Sequence, residues 1–319
     1  MAEVDGKENF QERLKAFWPG EVHFDVSMAK YSTLKVGGAA KALVIPREVG
    51  EIVSLVSGCE TAKISWMVVG GGSNLLVGDE GYGGVVIVLG RKFSDIRIQG
   101  KDDCSHTLVD VDAGCSLARL LNWSQEMGLS GLEFTAGIPG TVGGAVAMNA
   151  GAWGGEIKDV LSSLTWFASG EISRQDISQL DFTYRCCLKP VDAIVLSATF
   201  LLNKEDKAKI TKTCREYIAA RKSKQPVAYG SGGSFFKNPV DVPAGKLIED
   251  AGLKGTKIGG AEVSEVHANF ILNTGDATAN DIIKLMSLVQ TRVREVHGIW
   301  LEPEIKIIAT NREKAVGEK

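Results

Sequence analysis

Residues 231–239, SGGSFFKNP, place one hydroxyl, that of Ser234, between glycines and two phenylalanines. Glycine allows a backbone to approach another group closely, and aromatic side chains exclude water. A hydroxyl in such a dry place can donate a proton. Lys237 and Asn238 follow directly and offer donors to an anionic ligand. The segment therefore fits either a tight turn over a core or the mouth of an active site.

A glycine run ends an apolar stretch in WMVVGGGSNLL. Backbone N–H groups without side chains between them form a concavity that suits phosphate oxygens. The run is not a Rossmann fingerprint, because Leu75 stands where the third glycine belongs, and no Gly-Lys-Ser/Thr follows to make a P-loop. Taken alone it predicts a phosphate site and an ordinary turn equally well. The candidate cofactor-binding residues here are Gly70, Gly71, Gly72, Ser73 and Asn74.

A second glycine-rich loop covers residues 131–157, GLEFTAGIPGTVGGAVAMNAGAWGGEI. Small apolar side chains alternate with the glycines, so the loop can lie against a planar ring while its N–H groups meet a phosphate. Two such loops, far apart in sequence, favour a large dinucleotide over a single phosphate. The candidate cofactor-binding residues of this loop are Gly137, Ile138, Pro139, Gly140, Gly143 and Gly144.

Composition limits the classes of function. The 319 residues carry a formal net charge of −3, which argues against a nucleic-acid partner. No apolar run reaches the roughly 20 residues that span a bilayer, and the N-terminus has no signal-peptide core. The six cysteines form no C-x-x-C pair and indicate reduced thiols in the cytoplasm. The four histidines are far apart, so no metal site is expected.

Hydrophobic periodicity predicts the helices and strands that must position these residues. The pattern predicts an α+β chain with mixed sheets and no internal repeat. Helices are expected near 8–18, 47–58, 116–127, 203–228, 245–254 and 277–297. Strands are expected near 41–46, 64–69, 83–90, 106–114, 162–168, 193–202, 267–273 and 298–310.

Seven segments in the same order resemble the UDP-N-acetylenolpyruvoylglucosamine reductase family. They are YSTLKVGG (31–38), GGGSNLL (70–76), FTAGIPGTVGGAVAMNAG (134–151), FTYR (182–185), GSFFKNP (233–239), HANFILN (267–273) and LEPEIKII (301–308). The resemblance implies a two-subdomain FAD-binding module of the PCMH type, followed by a smaller α+β substrate-binding domain. We accordingly expect an N-terminal extension over 1–20, the FAD module over 21–203 with a split near 90, the substrate domain over 204–309 and a flexible tail over 310–319.

The family has a longer type, in which an extra loop between FTYR and GSFFKNP carries a substrate-clamping tyrosine. The stretch between those segments here contains only Tyr217 and Tyr229 as tyrosines and reads as a strand plus a charged helix. This chain therefore resembles the shorter type.

The resemblance implies a reaction in peptidoglycan precursor synthesis. NADPH reduces non-covalently bound FAD, and the hydride then passes to C3 of UDP-N-acetylglucosamine enolpyruvate while C2 receives a proton. The product is UDP-N-acetylmuramate. The implied partner is a UDP-sugar, with no nucleic acid and no membrane, and a cytoplasmic monomer is favoured.

Three residues are the implied catalytic set. Ser234 would protonate C2, although from its motif alone it fits a turn cap at least as well. Arg185 offers a two-pronged donor to the substrate carboxylate; its alternative is a surface ion pair. Glu304 would orient Arg185 or the substrate, and strand alternation places Glu302 on the same face. Cys187 stands where the family pattern Tyr-Arg-x-Ser has serine, which puts a supporting role at that position in doubt.

The remaining positions concern the substrate. The diphosphate and sugar would meet basic, amide and aromatic side chains, each of which also fits an ordinary solvated surface. These substrate-binding candidates are Tyr184, Lys237, Asn238, His267, Lys306 and Arg221. Two other functions remain open from the residues: another FAD-dependent oxidase or dehydrogenase with this flavin fold, and a nucleotide-sugar-binding protein without catalysis.

Overall fold

The computed structural model describes residues 10–100, 106–188, 190, 192–226 and 229–308. The helices are α1 (10–15), α2 (Val49–Thr61), α3 (Leu117–Met127), α4 (Val142–Ala147), α5 (Lys207–Lys224), α6 (Ala244–Asp250) and α7 (Ala279–His297). The first ten strands are β1 (His23–Ser27), β2 (Ala39–Val44), β3 (Trp66–Val69), β4 (Leu75–Val77), β5 (Tyr82–Val88), β6 (Ile96–Gly100), β7 (His106–Asp112), β8 (Leu129–Ser130), β9 (Gly151–Ala152) and β10 (Gly155–Glu156). The others are β11 (Leu161–Ala168), β12 (Glu171–Asp176), β13 (Asp181–Thr183), β14 (Cys186–Leu188), β15 (Ile194–Lys204), β16 (Gly230–Ser231), β17 (Lys257–Ile258), β18 (Ala261–Val263), β19 (Ile271–Asn273) and β20 (Lys306–Ile308).

The α+β class is confirmed, and two predicted strands are much shorter than expected. Of 267–273 only Ile271–Asn273 is a strand, because the segment before it turns so that the Phe270 N–H donates to the His267 carbonyl at 3.0 Å. Of the described part of 298–310, which ends at 308, only Lys306–Ile308 is regular. Pro303 has no N–H for a ladder and makes an isolated bridge instead. Residues 8 and 9 of the predicted first helix, and 309–319 with the predicted tail, lie outside the described residues.

The chain divides into two compact units. Unit 1 comprises 1–24, 42–70 and 84–218, and unit 2 comprises 25–41, 71–83 and 219–319. Both units are discontinuous in sequence, whereas the ranges expected above (1–20, 21–203, 204–309 and 310–319) are continuous. Those ranges remain a prediction of domain organisation.

Unit 1 is built around a six-stranded antiparallel sheet with the order β12-β11-β15-β7-β6, in which β8 also pairs with β15. A separate sheet has the order β1-β2-β5-β3, and its β3 and β5 are parallel. Helix α2 illustrates how sequence directs the packing. Its buried residues lie at the i, i+3, i+4 and i+7 spacing of one helix face, and they are Ile52, Leu55, Val56 and Cys59.

Unit 2 has its own core and a small sheet of order β16-β19-β18-β17. Phe235 and Phe236 are both buried in this core. Strands β20 and β4 pair in parallel, with Lys306 opposite Leu75. Helix α7 begins with a capping box between Thr278 and Asp281. It ends at Gly298, whose φ of 70° is the left-handed conformation common after a helix.

Candidate functional site

Ser234 lies at a half-buried position on a segment held from both sides in unit 2. On one side, the Glu304 N–H donates to the Phe235 carbonyl at 2.8 Å, and the Lys237 N–H donates to the Glu302 carbonyl at 2.9 Å. These bonds join two of the segments that sequence analysis singled out. The hydroxyl-bearing turn and the carboxylate-bearing segment are therefore neighbours in space.

Asn269, a residue that sequence analysis missed, holds the other side of this segment. Its side-chain Oδ1 accepts from the Phe236 N–H at 3.0 Å, and its Nδ2 donates to the Phe236 carbonyl at 2.8 Å. Its own carbonyl accepts from the Phe235 N–H at 2.9 Å. The Asn269 side chain thus imitates a strand partner for the residues that follow Ser234.

Glu304 is fixed by a second neighbour, Asn74. The Asn74 Nδ2 donates to the Glu304 carbonyl at 3.1 Å, and the Lys306 N–H donates to the Asn74 carbonyl at 3.2 Å. Glu304 is half-buried, whereas Glu302 is exposed and its carboxylate pairs with Lys237 Nζ. Both glutamates lie outside the regular strand, which begins only at Lys306, and their burial differs although they flank the same bridge residue, Pro303.

Thr33 ties two glycine-containing turns of unit 2 together and was also missed. Its hydroxyl donates to the Ser231 carbonyl at 2.6 Å, and its N–H donates to the Gly72 carbonyl at 3.1 Å. A Cβ at Gly72 would lie 1.8 Å from the Tyr31 carbonyl oxygen. Close packing on the 31–38 segment therefore accounts for glycine at this position.

The substrate-binding candidates of unit 2 have different surroundings. Lys237 is engaged by Glu302, and Asn238 Oδ1 accepts from the Ala244 N–H at 3.0 Å at the start of α6. Lys306 is exposed. Arg221 donates through Nη1 to Gln225 at 3.0 Å, while its buried Nε has no hydrogen-bond partner in the described part of the chain.

His267 is half-buried at the turn that leads to Asn269. Its Nδ1 accepts from the Asn269 N–H at 3.2 Å, and its ring lies edge-on to Phe270 with centroids 4.9 Å apart. Burial lowers the pKa of the imidazole, and the nearby positive charge of Lys254 acts in the same direction. The accepting Nδ1 and the lowered pKa both favour a neutral ring that carries its proton on Nε2.

Arg185 lies in unit 1, in the turn of a hairpin formed by β13 and β14. Its φ is 59°, a conformation uncommon outside glycine. One guanidinium nitrogen donates to the Gly151 carbonyl at 3.2 Å, and the guanidinium lies 5.2 Å from the centre of the exposed Tyr184 ring. The turn thereby presents a cation beside an aromatic ring. Cys187, at the doubtful family position, is buried opposite Phe182.

The first residue of the glycine run, Gly70, packs against the second glycine loop within unit 1. A Cβ at Gly70 would lie 2.2 Å from Thr141 Oγ1, so the end of β3 rests directly on the second loop. Thr141 is buried, and its hydroxyl has no hydrogen-bond partner among the described residues. A Cβ at Gly144 would lie 3.7 Å from this hydroxyl, an ordinary van der Waals distance. An unsatisfied buried hydroxyl beside a glycine surface fits an oxygen-rich ligand that approaches the backbone closely.

Part of the second loop serves the fold. The Val142 N–H donates to the Cys115 carbonyl and the Gly143 N–H to the Ala113 carbonyl, both at 2.8 Å. The Ile138 N–H donates to the Thr135 carbonyl at 2.8 Å. These three amides are committed to protein carbonyls, so a phosphate would have to use other groups of the loop.

Two negative findings concern the described part of the chain. It contains no group of three or more His, Cys, Asp or Glu side chains that could hold a metal ion. None of its helices is long and apolar enough to cross a bilayer. Its free cysteines are Cys59, Cys115, Cys186, Cys187 and Cys214.

Comparison with known families divides the chain much as the motifs do. A family model described as an FAD binding domain matches residues 40–174. A model described as the C-terminal domain of UDP-N-acetylenolpyruvoylglucosamine reductase matches residues 225–308.

Individual relatives match nearly the whole chain. The UDP-N-acetylenolpyruvoylglucosamine reductase of Bacillus subtilis (strain 168) is 40% identical over 94% of this chain and 98% of its own length. That of Heliobacterium modesticaldum is 43% identical over 88% of each chain. The crystal structure of the enzyme from Thermus caldophilus covers 90% of this chain and 98% of its own, with 36% identity and a TM-score of 0.77.

Proposed function

The chain belongs to the UDP-N-acetylenolpyruvoylglucosamine reductase family, and on that premise we propose that Ser234, Arg185 and Glu304 carry out its chemistry. It reduces UDP-N-acetylglucosamine enolpyruvate to UDP-N-acetylmuramate in peptidoglycan precursor synthesis, with FAD as cofactor and NADPH as hydride donor. Family membership favours this reaction over another flavin oxidase and over a protein without catalysis.

The two glycine loops are the proposed FAD site. FAD held there would supply the hydride-transfer chemistry between NADPH and the double bond of the substrate. The buried Thr141 hydroxyl, which has no partner among the described residues, supports this assignment because a ligand oxygen would satisfy it. The residues proposed to hold the cofactor are Gly70, Gly71, Gly72, Ser73, Asn74, Gly137, Ile138, Pro139, Gly140, Gly143 and Gly144, to which we add Thr141.

Ser234 is the proposed proton donor. Hydride addition at C3 leaves an electron pair at C2 that is delocalised into the substrate carboxylate. The O–H bond of Ser234 breaks as the new C2–H bond forms, and the serine oxygen then regains a proton from solvent or from Lys237. A serine is a weak acid, but the carbanionic carbon is a far stronger base.

Arg185 and Glu304 are proposed to act electrostatically. The guanidinium of Arg185 would pair with the substrate carboxylate, where negative charge accumulates during hydride transfer. Glu304 would orient a donor group toward the substrate. The observation that carries this proposal is a backbone hydrogen bond within unit 2. The Glu304 N–H donates to the carbonyl of Phe235, which is the residue that follows Ser234 in the chain.

Six other side chains are proposed to bind the substrate. Tyr184, Lys237, Asn238, His267, Lys306 and Arg221 would contact the UDP-sugar, and among them the buried Nε of Arg221 is available to a diphosphate oxygen. We also propose that the chain is of the shorter type, acts as a monomer and works in the cytoplasm, where nucleotide sugars and NADPH are supplied.

Anaerobic stopped-flow measurement of the two half-reactions tests these roles. Ser234→Ala should leave flavin reduction by NADPH within about twofold and slow reoxidation by the enolpyruvyl substrate by roughly 10²–10⁴-fold. Arg185→Lys should also slow reoxidation selectively, because a lysine cannot grip a carboxylate with two prongs. Ser231→Ala in the same turn is the matched control, since Thr33 contacts the Ser231 carbonyl and not its hydroxyl. Equal slowing of both half-reactions by Ser234→Ala would make Ser234 structural.

A further inference from the structure

Asn269 is one of the few polar side chains buried in unit 2, with 3% of its surface exposed. The Nδ2 donor and the Oδ1 acceptor of its side-chain amide both bond to a single residue, Phe236, which lies 33 positions earlier in the chain. A buried amide that bonds to both the N–H and the carbonyl of one residue fixes the position of the two peptide groups that flank it. We propose that Asn269 is a positioning residue that sets the place of the Ser234 hydroxyl. This inference rests on the proposed role of Ser234 as proton donor.

Three hydrogen bonds from Asn269 reach the segment within two residues of Ser234. Two are the amide bonds to Phe236, and the third joins the Asn269 carbonyl to the Phe235 N–H. The opposite edge of the segment is held by backbone bonds to Glu302 and Glu304. The Ser234 segment therefore lies between two partners, as a central strand does, although it is not itself a regular strand.

The burial of both phenylalanines makes these bonds consequential. Phe235 and Phe236 are 0% and 1% exposed, so water cannot readily replace a lost partner of their backbone groups. If the Asn269 amide were lost, the segment would shift to find other partners. A displacement of about 1 Å at a reacting group can cost on the order of 10²-fold in rate.

The chemistry of the contact requires asparagine. One donor and one acceptor must meet the carbonyl and the N–H of the same residue at 2.8 and 3.0 Å. Aspartate retains the acceptor but sets a carboxylate against the Phe236 carbonyl, and glutamine is longer by one methylene. The turn around Asn269 is itself held, because its N–H donates to His267 Nδ1 and the His267 N–H donates to Ser264 Oγ.

The test compares Asn269→Asp, Ser234→Ala and the double variant in the same anaerobic half-reactions. Asn269→Asp should slow reoxidation by substrate by roughly 10–10²-fold and leave reduction by NADPH within about twofold. The double variant should be no slower than Ser234→Ala alone, because a positioning residue has no effect once the group it positions is gone. Hydrogen exchange of the peptide covering 232–240 should be faster in Asn269→Asp, with or without substrate.

Controls separate this inference from general damage and from the proposed function. Asn273→Asp alters another buried amide of unit 2, one that donates to Leu34, and should leave the ratio of the half-reaction rates unchanged. If Asn269→Asp does not fold, Asn269→Ser, which is smaller and uncharged, takes its place.

The outcomes are distinguishable. A Ser234→Ala variant with normal reoxidation refutes the proposed role of Ser234 as proton donor. If Ser234→Ala is slow but Asn269→Asp slows both half-reactions equally, leaves reoxidation unchanged, or multiplies the defect of Ser234→Ala, then the positioning role of Asn269 is refuted while the function stands.

Discussion

Replacing Asp79 should loosen the first turn of α7, although the two are 200 residues apart in sequence. One carboxylate oxygen accepts from the Ala279 N–H at 2.8 Å and the other from the Asn280 N–H at 2.9 Å. The capping box of Thr278 and Asp281 provides acceptors for the neighbouring N–H groups. Asp79 therefore satisfies donors that the helix itself cannot satisfy.

The magnitude follows from the two bonds. Ala279 is fully buried, so losing its acceptor leaves an unsatisfied N–H that costs about 1–3 kcal/mol. Asn280 is exposed, so water can accept from its N–H in place of Asp79, and losing this second bond costs little free energy. The negative charge at the helix N-terminus adds about 0.3–1 kcal/mol. Asp79→Ala should therefore lower the free energy of unfolding by about 1–4 kcal/mol, and Asp79→Asn, which keeps one acceptor, by about 1 kcal/mol.

Urea unfolding of the full chain, followed by circular dichroism, measures these differences, and hydrogen exchange of the first turn of α7 locates them. Asp276→Asn is the control, since it removes an exposed charge just before the same helix. An Asp79→Ala variant within about 0.3 kcal/mol of the parent, or one equal to Asp276→Asn, would refute the reasoning.

Three other perturbations have defined outcomes. Gly72→Ala should destabilise the chain by at least about 2 kcal/mol in urea unfolding, because its φ is 62° and a Cβ would collide with the Tyr31 carbonyl. The lowered pKa of His267 means that the unfolded chain binds more protons below about pH 6.5. The free energy of unfolding should thus fall as the pH drops below about 6.5. It should fall less in His267→Asn, which does not titrate there and whose side-chain oxygen can still accept from the Asn269 N–H. Burial raises the pKa of the Cys59 thiol to about 12, so iodoacetamide at about pH 8 should alkylate it only after unfolding, as mass spectrometry would show.

Each of these three predictions has a result that would contradict it. At Gly83 a Cβ would lie more than 4 Å from every described residue except its chain neighbours, so Gly83→Ala should stay within about 1 kcal/mol of the parent. Equal destabilisation at both glycines would contradict the packing argument. A pH dependence in His267→Asn identical to that of the parent would assign the effect to other groups. Rapid alkylation of native Cys59 would show that its thiol is not buried.

Local patterns were sufficient for much of the fold. The spacing of Ile52, Leu55 and Val56 predicts the buried face of α2, and the helix is found at Val49–Thr61. Periodicity works here because each element carries its own repeat, 3.6 or 2 residues, within a short window. It was less reliable near 298–310, where Pro303 interrupts the strand and a bridge to Phe236 replaces the ladder.

The sequence by itself determined the family, the cofactor and the candidate residues, because its seven segments retain residue types that the chemistry requires. It did not determine what holds those residues. Asn269 contacts Phe236 across 33 residues, and Thr33 contacts Ser231 across 198. An asparagine or threonine side chain can bond to any backbone group that comes within reach, so the residue type does not predict its partner. Only the packing of unit 2 decided which of these groups lie close enough to bond. It places the Glu304 N–H against the Phe235 carbonyl, next to Ser234, and the Glu302 carboxylate against Lys237.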